Sequence, residues 1–213
     1  GSDVSSRYTR RNRAEYRKIA GYIARCVWQR QGNYMVFFPS YRLMEDVLQV
    51  YEEEFSVDWV RCVCQTPDMT EQEREGFLEE FQEREGTLVG FCVLGGIFSE
   101  GVDLTGESLI GAVIVGTGLP QIGSQREILK EYYDKKNHCG FDYAYRYPGM
   151  NKVLQAAGRV IRTKEDKGVI LLLDDRFWDR DYQEIFPREW QDRTGCRLDT
   201  VEGAVETFWK RFT

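Results

Sequence analysis

Apolar residues recur along this chain in two patterns, one typical of helices and one typical of buried strands. Residues 12–30 carry apolar side chains three to four positions apart, which predicts a helix. Residues 34–38 form a continuous apolar run after a Gly-Asn break, which predicts a buried strand. The same reasoning predicts strands over residues 57–64, 88–94, 112–117 and 169–174. Further helices are predicted over residues 43–55, 70–84, 124–135, 148–162 and 201–212.

Several residues support the predicted ends of these helices. Thr70 with Glu73 three residues later has the pattern of a capping box, and Ser124 is a candidate cap for the next helix. Pro148 suits the first turn of the helix that follows it. The preceding segment, residues 137–147, is aromatic and is predicted to be irregular.

Strands that alternate with helices indicate an α/β fold, in which a parallel sheet is covered by helices on both faces. Ligands of such sheets bind at the carboxyl ends of the strands. The loops after Phe38, Leu94 and Thr117 are therefore the expected places for a binding site.

Residues 155–162 carry the most distinctive chemistry of the chain. Arg159 and Arg162 are three residues apart, so a helix would present both on one face, and Gln155 lies one turn earlier. Arginine offers a planar fork of donors that suits phosphate oxygens, and Gly158 permits close approach of a phosphate. The alternative is an exposed helix face with two solvated arginines.

Residues 39–42 suggest a second phosphate contact, because backbone N–H groups and a Ser hydroxyl lie between a strand and a helix. The alternative here is a capped helix without a ligand. Residues 95–101 form a glycine-rich, donor-rich loop, and Asp103 after it can accept from a ribose hydroxyl or cap a helix. Asp174, Asp175 and Arg176 follow an apolar strand, and a structural ion pair explains them better than a metal site.

The pattern Gln-x-x-Gly-Arg-x-x-Arg in residues 155–162 resembles motif VI of superfamily 2 helicases. Its continuation through residue 177 resembles the XPD/DinG branch in particular. Residues 98–104 resemble motif V and residues 34–41 resemble motif IV of that branch, in the family's order. The resemblance implies the second RecA-like motor domain of an ATP-dependent DNA helicase.

The resemblance also implies roles for individual residues. Its implied catalytic residues, which act at the γ-phosphate of ATP, are Gln155, Arg159 and Arg162. Its implied nucleotide-binding residues are Gly101, Asp103 and Gly158. Its implied DNA-binding residues are Ser40, Tyr41, Arg42, Gly96 and Ser99. The family often has a Lys or Arg near Gly95 and Gly96, and this sequence lacks that charge. No metal ligand is predicted.

The chain carries no Gly-x-x-x-x-Gly-Lys-[Ser/Thr] phosphate loop and no Asp-Glu-x-His run. In the family both belong to the N-terminal motor domain, which is therefore an expected partner together with single-stranded DNA. ATP and Mg²⁺ are expected at a site that the two domains share, so this chain alone is predicted to be inactive. Gly1 and Ser2 are typical of a cloning remnant. We expect a basic lead-in helix over residues 1–31 and the RecA-like domain over residues 32–213.

Composition and cysteine usage fit a globular, intracellular protein. The 213 residues are 42% hydrophobic and 30% charged, with a net charge of −6, and no apolar run is long enough to span a membrane. The six cysteines lack metal-site or cluster-binding spacing, so we expect reduced, mostly buried thiols in the cytoplasm. Some members of the branch hold an iron–sulfur cluster, and it would lie in the other motor domain.

The sequence therefore predicts the C-terminal half of a DNA helicase of the kind that acts in DNA repair. Two alternatives belong to other classes. One is a non-catalytic RecA-like module that docks onto a protein partner, which the intact Gln155, Arg159 and Arg162 disfavour. The other is a small-molecule enzyme on a doubly wound fold, for which no Gly-x-Gly-x-x-Gly or nucleophile–base pattern is evident.

Overall fold

Parallel strands form one sheet in the computed structural model, which describes residues 1–82, 86–98, 109–161 and 166–212. The strands are β1 (Asn33–Phe38), β2 (Val60–Cys64), β3 (Thr87–Val93), β4 (Gly111–Val115) and β5 (Val169–Leu173). Their spatial order is β2-β3-β1-β4-β5, and every neighbouring pair is parallel. The predicted parallel α/β architecture is confirmed.

Helices cover both faces of the sheet. They are α1 (Arg13–Val27), α2 (Tyr41–Glu54), α3 (Glu71–Glu80), α4 (Ser124–Asn137), α5 (Tyr147–Ala157), α6 (Arg180–Gln183) and α7 (Val201–Trp209). Of these, α2, α3 and α5 lie between successive strands of the described chain. On one face α1, α2 and α7 pack over alternate strand residues such as Val36 and Val113. On the other face α3 and α5 pack over the intervening residues such as Phe37 and Ile114. The period of two along each strand thus divides the core into two layers.

Short-range signals set the starts of several helices. The Asn12 side chain accepts a hydrogen bond from Glu15 N at 3.0 Å and so caps α1. Thr70 and Glu73 form the predicted capping box at the start of α3. The prediction for Ser124 is wrong, since Gly123 is the N-cap of α4 and makes no side-chain cap.

Two predicted boundaries also differ from the structure. β2 begins at Val60 because residues 57–59 form a turn, although the apolar character starts at Val57. Residues 142–146, predicted to be irregular, form a single π-helical turn that continues directly into α5. Contacts with α4 stabilise this turn, since the Tyr133 and Tyr143 rings stack with centroids 4.0 Å apart and Arg126 donates to the Ala144 carbonyl at 2.9 Å.

Candidate functional site at the two edges of the sheet

The carboxyl ends of β1 and β3 lie side by side and bring two of the predicted loops together. Leu94 N donates to the Phe38 carbonyl at 2.8 Å just beyond the paired residues. Ser40 follows β1 and caps α2, its hydroxyl accepting from Leu43 N at 3.4 Å. Tyr41 begins the helix half-buried, and Arg42 is exposed beside it. The helix cap is present, and a role of these residues in DNA binding stays a prediction.

The glycine-rich loop after β3 begins at the same edge. Gly95 has a φ of +70°, which favours glycine, and Gly96 N donates to the Val93 carbonyl at 3.2 Å. The predicted residues Ser99, Gly101 and Asp103 lie outside the described residues. Of the predicted loop residues, the structure thus places Gly96 next to the start of α2.

Lys152 on α5 supplies a cation at this edge that the sequence analysis did not identify. A Cβ atom on Gly95 would lie 3.0 Å from Lys152 Nζ and 2.8 Å from its Cε, so the side chain passes directly over the Gly95 backbone. The loop itself lacks a basic residue at this point, and α5 brings one from 57 residues further along the chain. Helical spacing could have identified Lys152, because it lies three residues before Gln155 and so on the same face of the helix.

Gln65 is a second residue that the sequence analysis missed. It follows β2 directly, is 3% exposed, and accepts from Val93 N at 3.0 Å through its side-chain oxygen. Its Nε2 donates to the Tyr41 hydroxyl at 2.9 Å. A polar residue directly after a strand, at the edge where ligands bind, was the signal that could have found it.

The helix that carries the motif VI pattern ends earlier than predicted. α5 ends at Ala157, and Gly158, Arg159 and Val160 form a turn in which Arg159 N donates to the Ala156 carbonyl at 3.2 Å. The prediction of one helix face carrying both arginines is therefore wrong for Arg159, since Gly158 weakens the helix at this point. Gln155 is exposed on the last turn and Arg159 is half-buried, whereas Arg162 lies outside the described residues.

The two ends of α5 lie at opposite edges of the sheet. Near its start, a Cβ atom on Gly149 would lie 2.6 Å from the Thr117 carbonyl oxygen, which follows β4. Beyond its end, Val160 packs against Gly168, which precedes β5. Ser40, Tyr41 and Gly96 are therefore gathered at the carboxyl edge, and Arg159 is separated from them. The predicted DNA contacts therefore lie at the carboxyl ends of the strands, where ligands were expected. Arg159 does not.

Asp174 forms a buried structural network, as predicted for the acidic pair after β5. It is fully buried and accepts from Arg176 Nε at 2.7 Å, from Arg176 Nη2 at 2.9 Å and from the Ser6 hydroxyl at 2.6 Å. Burial by itself would raise the pKa of Asp174, but the charge and hydrogen bonds of Arg176 outweigh it and lower the pKa to about 2. The network ties the N-terminal segment to the end of β5.

The basic residues of the N-terminal segment are partly used within the domain. Arg13 pairs with Glu53 at 2.8 Å, Arg17 pairs with Glu54, and Arg10 pairs with Glu15 at 3.3 Å. The first two pairs join α1 to α2 on an exposed surface. Each such pair contributes about 0–1 kcal/mol, so they orient the two helices more than they stabilise them.

The cysteine side chains are buried or half-buried. Cys26, Cys92 and Cys196 are buried, and Cys62, Cys64 and Cys139 are intermediate. Burial raises the pKa of Cys62 and of Cys64 to about 11, so both thiols are protonated at neutral pH. Across the described ranges, no group of three or more His, Cys, Asp or Glu residues could hold a metal ion. Within the same ranges, no helix combines the length and apolar character that a membrane span requires.

The sheet order and the motifs at its edges define a RecA-like domain of the kind found in helicases. A family model described as the helicase C-terminal domain matches residues 23–193. The chain belongs to this family, in its XPD/DinG-like branch of superfamily 2.

Curated relatives support the same assignment. The ATP-dependent DNA helicase XPD of Sulfolobus acidocaldarius is 29% identical over 188 residues, which cover 83% of this chain and 31% of that protein. A regulator of telomere elongation helicase 1 homolog of Drosophila persimilis is 28% identical over 178 residues, covering 76% of this chain and 17% of that protein. The chain therefore spans less than a third of the length of these relatives.

Solved structures share the fold. An XPD helicase structure superposes with a TM-score of 0.69 at 26% identity, covering 86% of this chain and 32% of that one. The C-terminal domain of the DEAD-box protein Dbp5 gives a TM-score of 0.52 at 14% identity and covers 91% of both chains, which shows a common fold alone.

Proposed function

We propose that the whole protein is an ATP-dependent DNA helicase and that this chain supplies half of its ATP site and half of its single-stranded DNA groove. The family assignment and the relatives named as DNA helicases support this proposal. The protein would couple ATP hydrolysis to movement along single-stranded DNA and unwind duplexes. We further propose that it acts in the cytoplasm and in DNA repair.

The observation that carries the proposal is the position of Arg159. It lies half-buried on the turn after α5, with Gln155 exposed on the preceding turn and Gly158 exposed between them. A guanidinium can face phosphate oxygens with its planar fork of donors. When the two motor domains close on ATP, we propose that Arg159 and Arg162 contact its γ-phosphate. Gln155 would lie near the attacking water.

The chemistry of the arginines fits the triphosphate, and the remaining parts are expected in the N-terminal motor domain. Mg²⁺, when bound with ATP, neutralises the charge that develops on the phosphates. Its ligands and the phosphate loop would come from that domain, as would an iron–sulfur cluster if the protein holds one. Gly101, Asp103 and Gly158 would line the nucleotide from this side.

The DNA side of the proposal uses the carboxyl edge. The N-terminus of α2 points backbone N–H groups toward this edge, and Arg42 and Lys152 add two cations to it. Such an arrangement suits a phosphate backbone without reading its sequence. Ser40, Tyr41, Arg42, Gly96 and Ser99 are the proposed contacts, and Lys152 joins them on structural grounds.

The test is steady-state ATP turnover of the full-length protein at saturating ATP and single-stranded DNA. Arg159→Ala should lower kcat by roughly 10³-fold or more, as arginine fingers do elsewhere, and Arg162→Ala should act in the same direction. Arg159→Lys should recover little, because lysine keeps the charge and loses the fork.

Arg180 offers a matched control. It lies on α6, which follows β5 in the chain, and its side chain is 89% exposed in an ion pair with Glu184. Arg180→Ala should leave kcat unchanged. Normal turnover in Arg159→Ala and Arg162→Ala, with unchanged thermal stability, would contradict the proposal and favour the non-catalytic docking module.

A further inference from the structure

Gln65 occupies the point where the ladder between β2 and β3 ends. The last pair in that ladder is Cys64 with Phe91, and Gln65 N still donates to the Phe91 carbonyl at 2.8 Å. Beyond this point the chain leaves the sheet, and the side-chain oxygen of Gln65 accepts from Val93 N at 3.0 Å in place of a strand carbonyl. One amide side chain therefore completes the hydrogen bonding of β3 at its carboxyl end.

The other half of the same amide faces a different element. Nε2 of Gln65 donates to the Tyr41 hydroxyl at 2.9 Å, and that hydroxyl in turn lies 3.5 Å from the Thr66 carbonyl oxygen. A Cβ atom on Gly96 would lie 3.1 Å from the same Nε2. Gln65 thus contacts the end of β3, the first residue of α2 and the start of the glycine-rich loop.

We propose that Gln65 is a positioning residue that holds Tyr41 and the Gly95–Gly96 loop as one rigid surface for the DNA backbone. Gln65 is 3% exposed, so it acts through its neighbours and does not contact DNA itself. Both of its functional atoms are used, and an amide is the side chain that can accept from a backbone N–H while it donates to a hydroxyl. This inference rests on the proposed DNA-binding function.

A positioning residue is useful here because the two loops are held in place differently. Ser40 and Tyr41 are fixed by α2, whereas Gly95 and Gly96 follow β3 and have the conformational freedom of glycine. If both loops contact one DNA backbone, a separation fixed before binding favours that contact. Preorganisation of this kind improves affinity because less freedom is lost on binding.

The experiment measures the single-stranded DNA concentration that half-saturates ATP turnover of the full-length protein. Gln65→Met keeps the length of the side chain and removes both hydrogen bonds, and Tyr41→Phe removes the hydroxyl alone. Each should raise the half-saturating concentration roughly three- to tenfold, as expected for one or two lost hydrogen bonds. The kcat of Gln65→Met at saturating DNA should stay within about twofold, because Gln65 is 3% exposed and contacts neither the DNA nor the nucleotide in this proposal.

The double variant separates positioning from general damage. If Gln65 acts through Tyr41, the combined effect of Gln65→Met and Tyr41→Phe on DNA binding should be smaller than the product of the two single fold-changes. Gln49→Met is the control, since Gln49 is an exposed glutamine of α2 whose amide donates to Glu53 at 2.8 Å, away from Tyr41. It should leave the half-saturating concentration unchanged.

The outcomes distinguish this inference from the function on which it rests. Gln65→Met and Tyr41→Phe proteins that match the wild type in DNA half-saturation would overturn the positioning role, even if their melting temperatures fall. Fully additive effects in the double variant would overturn it as well. A wild-type protein whose turnover does not respond to single-stranded DNA would overturn the proposed function first and this inference with it.

Discussion

At the scale of single residues, the pair of buried Asp174 and half-buried Arg176 shows how this domain uses charge for its architecture. Asp174 is fully buried and accepts hydrogen bonds from Ser6 on the N-terminal segment and from Arg176 beyond β5. The pair satisfies several donors at once, which compensates the cost of burying the carboxylate. Removing one partner leaves the other without compensation.

We expect Asp174→Asn to destabilise the chain by about 3–5 kcal/mol, because it leaves the Arg176 guanidinium buried without its counter-charge. Urea unfolding measures the change. The neighbouring Asp175→Asn is the control, since Asp175 pairs with Arg7 on a surface where both side chains are at least a third exposed. It should cost no more than about 1 kcal/mol, and equal losses in the two variants would contradict the network.

The same residue predicts a dependence of stability on pH. The pKa of Asp174 is lowered to about 2 in the folded chain, compared with about 3.9 for an unfolded aspartate. Its contribution is therefore fully present above the unfolded pKa and is lost as the pH falls toward 2. The difference in unfolding free energy between wild type and Asp174→Asn should shrink over this range, and a constant difference would show that Asp174 does not titrate there.

At the scale of elements, α4 is held on the domain by its neighbour and not by the core. None of its residues is buried, and its contacts are made with the π-helical turn at residues 142–146. Among these contacts, the rings of Tyr133 and Tyr143 stack 8° from parallel with centroids 4.0 Å apart. Offset aromatic pairs contribute about 0.5–1.5 kcal/mol beyond their buried area.

Tyr143→Ala should therefore loosen α4 and leave the sheet intact. Amide hydrogen exchange within residues 124–137 should become roughly tenfold faster, since about 1.4 kcal/mol corresponds to a factor of ten in a local opening equilibrium. Exchange in β1 and β4 should not change. Ile128→Ala is the control, because Ile128 lies on α4 and is 68% exposed; acceleration of the same size in that variant would show that α4 is not held by the stacked pair.

At the scale of the whole molecule, the proposed function gives this chain one side of an ATP site and assigns the other side to a second motor domain. We expect the isolated chain to show no significant ATP hydrolysis, because it lacks the phosphate loop that holds the γ-phosphate. Phosphate release with and without single-stranded DNA measures this. Robust DNA-stimulated turnover in a contaminant-free sample would contradict the assignment of a half-site.

Binding of the isolated chain to single-stranded DNA should be weak and should fall steeply between about 50 and 200 mM salt. The net charge of −6 opposes binding at long range, and the few cations at the carboxyl edge act only locally. A labelled oligonucleotide titrated at both salt concentrations tests this. Tight binding that survives the higher salt would mean that the groove is complete without the second domain.

Local patterns were sufficient for much of this architecture. The apolar runs predicted the five strands that the described residues form. The capping box at Thr70 and the cap at Ser40 could be predicted because each involves residues only three positions apart. The motifs likewise indicated the family, since the chemistry of phosphate contact requires the same residue types in the same short spacing. Periodicity alone could not order the strands in the sheet.

Contacts between distant segments decided the rest. Residues 137–147 were predicted to be irregular, and residues 140–147 of that segment are helical because their aromatic rings pack on α4. Local propensity does not include such contacts. Lys152 reaches Gly95 and Gln65 reaches Tyr41 only after the sheet brings separate loops to one edge. The sequence by itself determined which residues are candidates for phosphate contacts. The tertiary structure decided which of them share an edge, because that depends on strand order and on the direction in which α5 crosses the sheet.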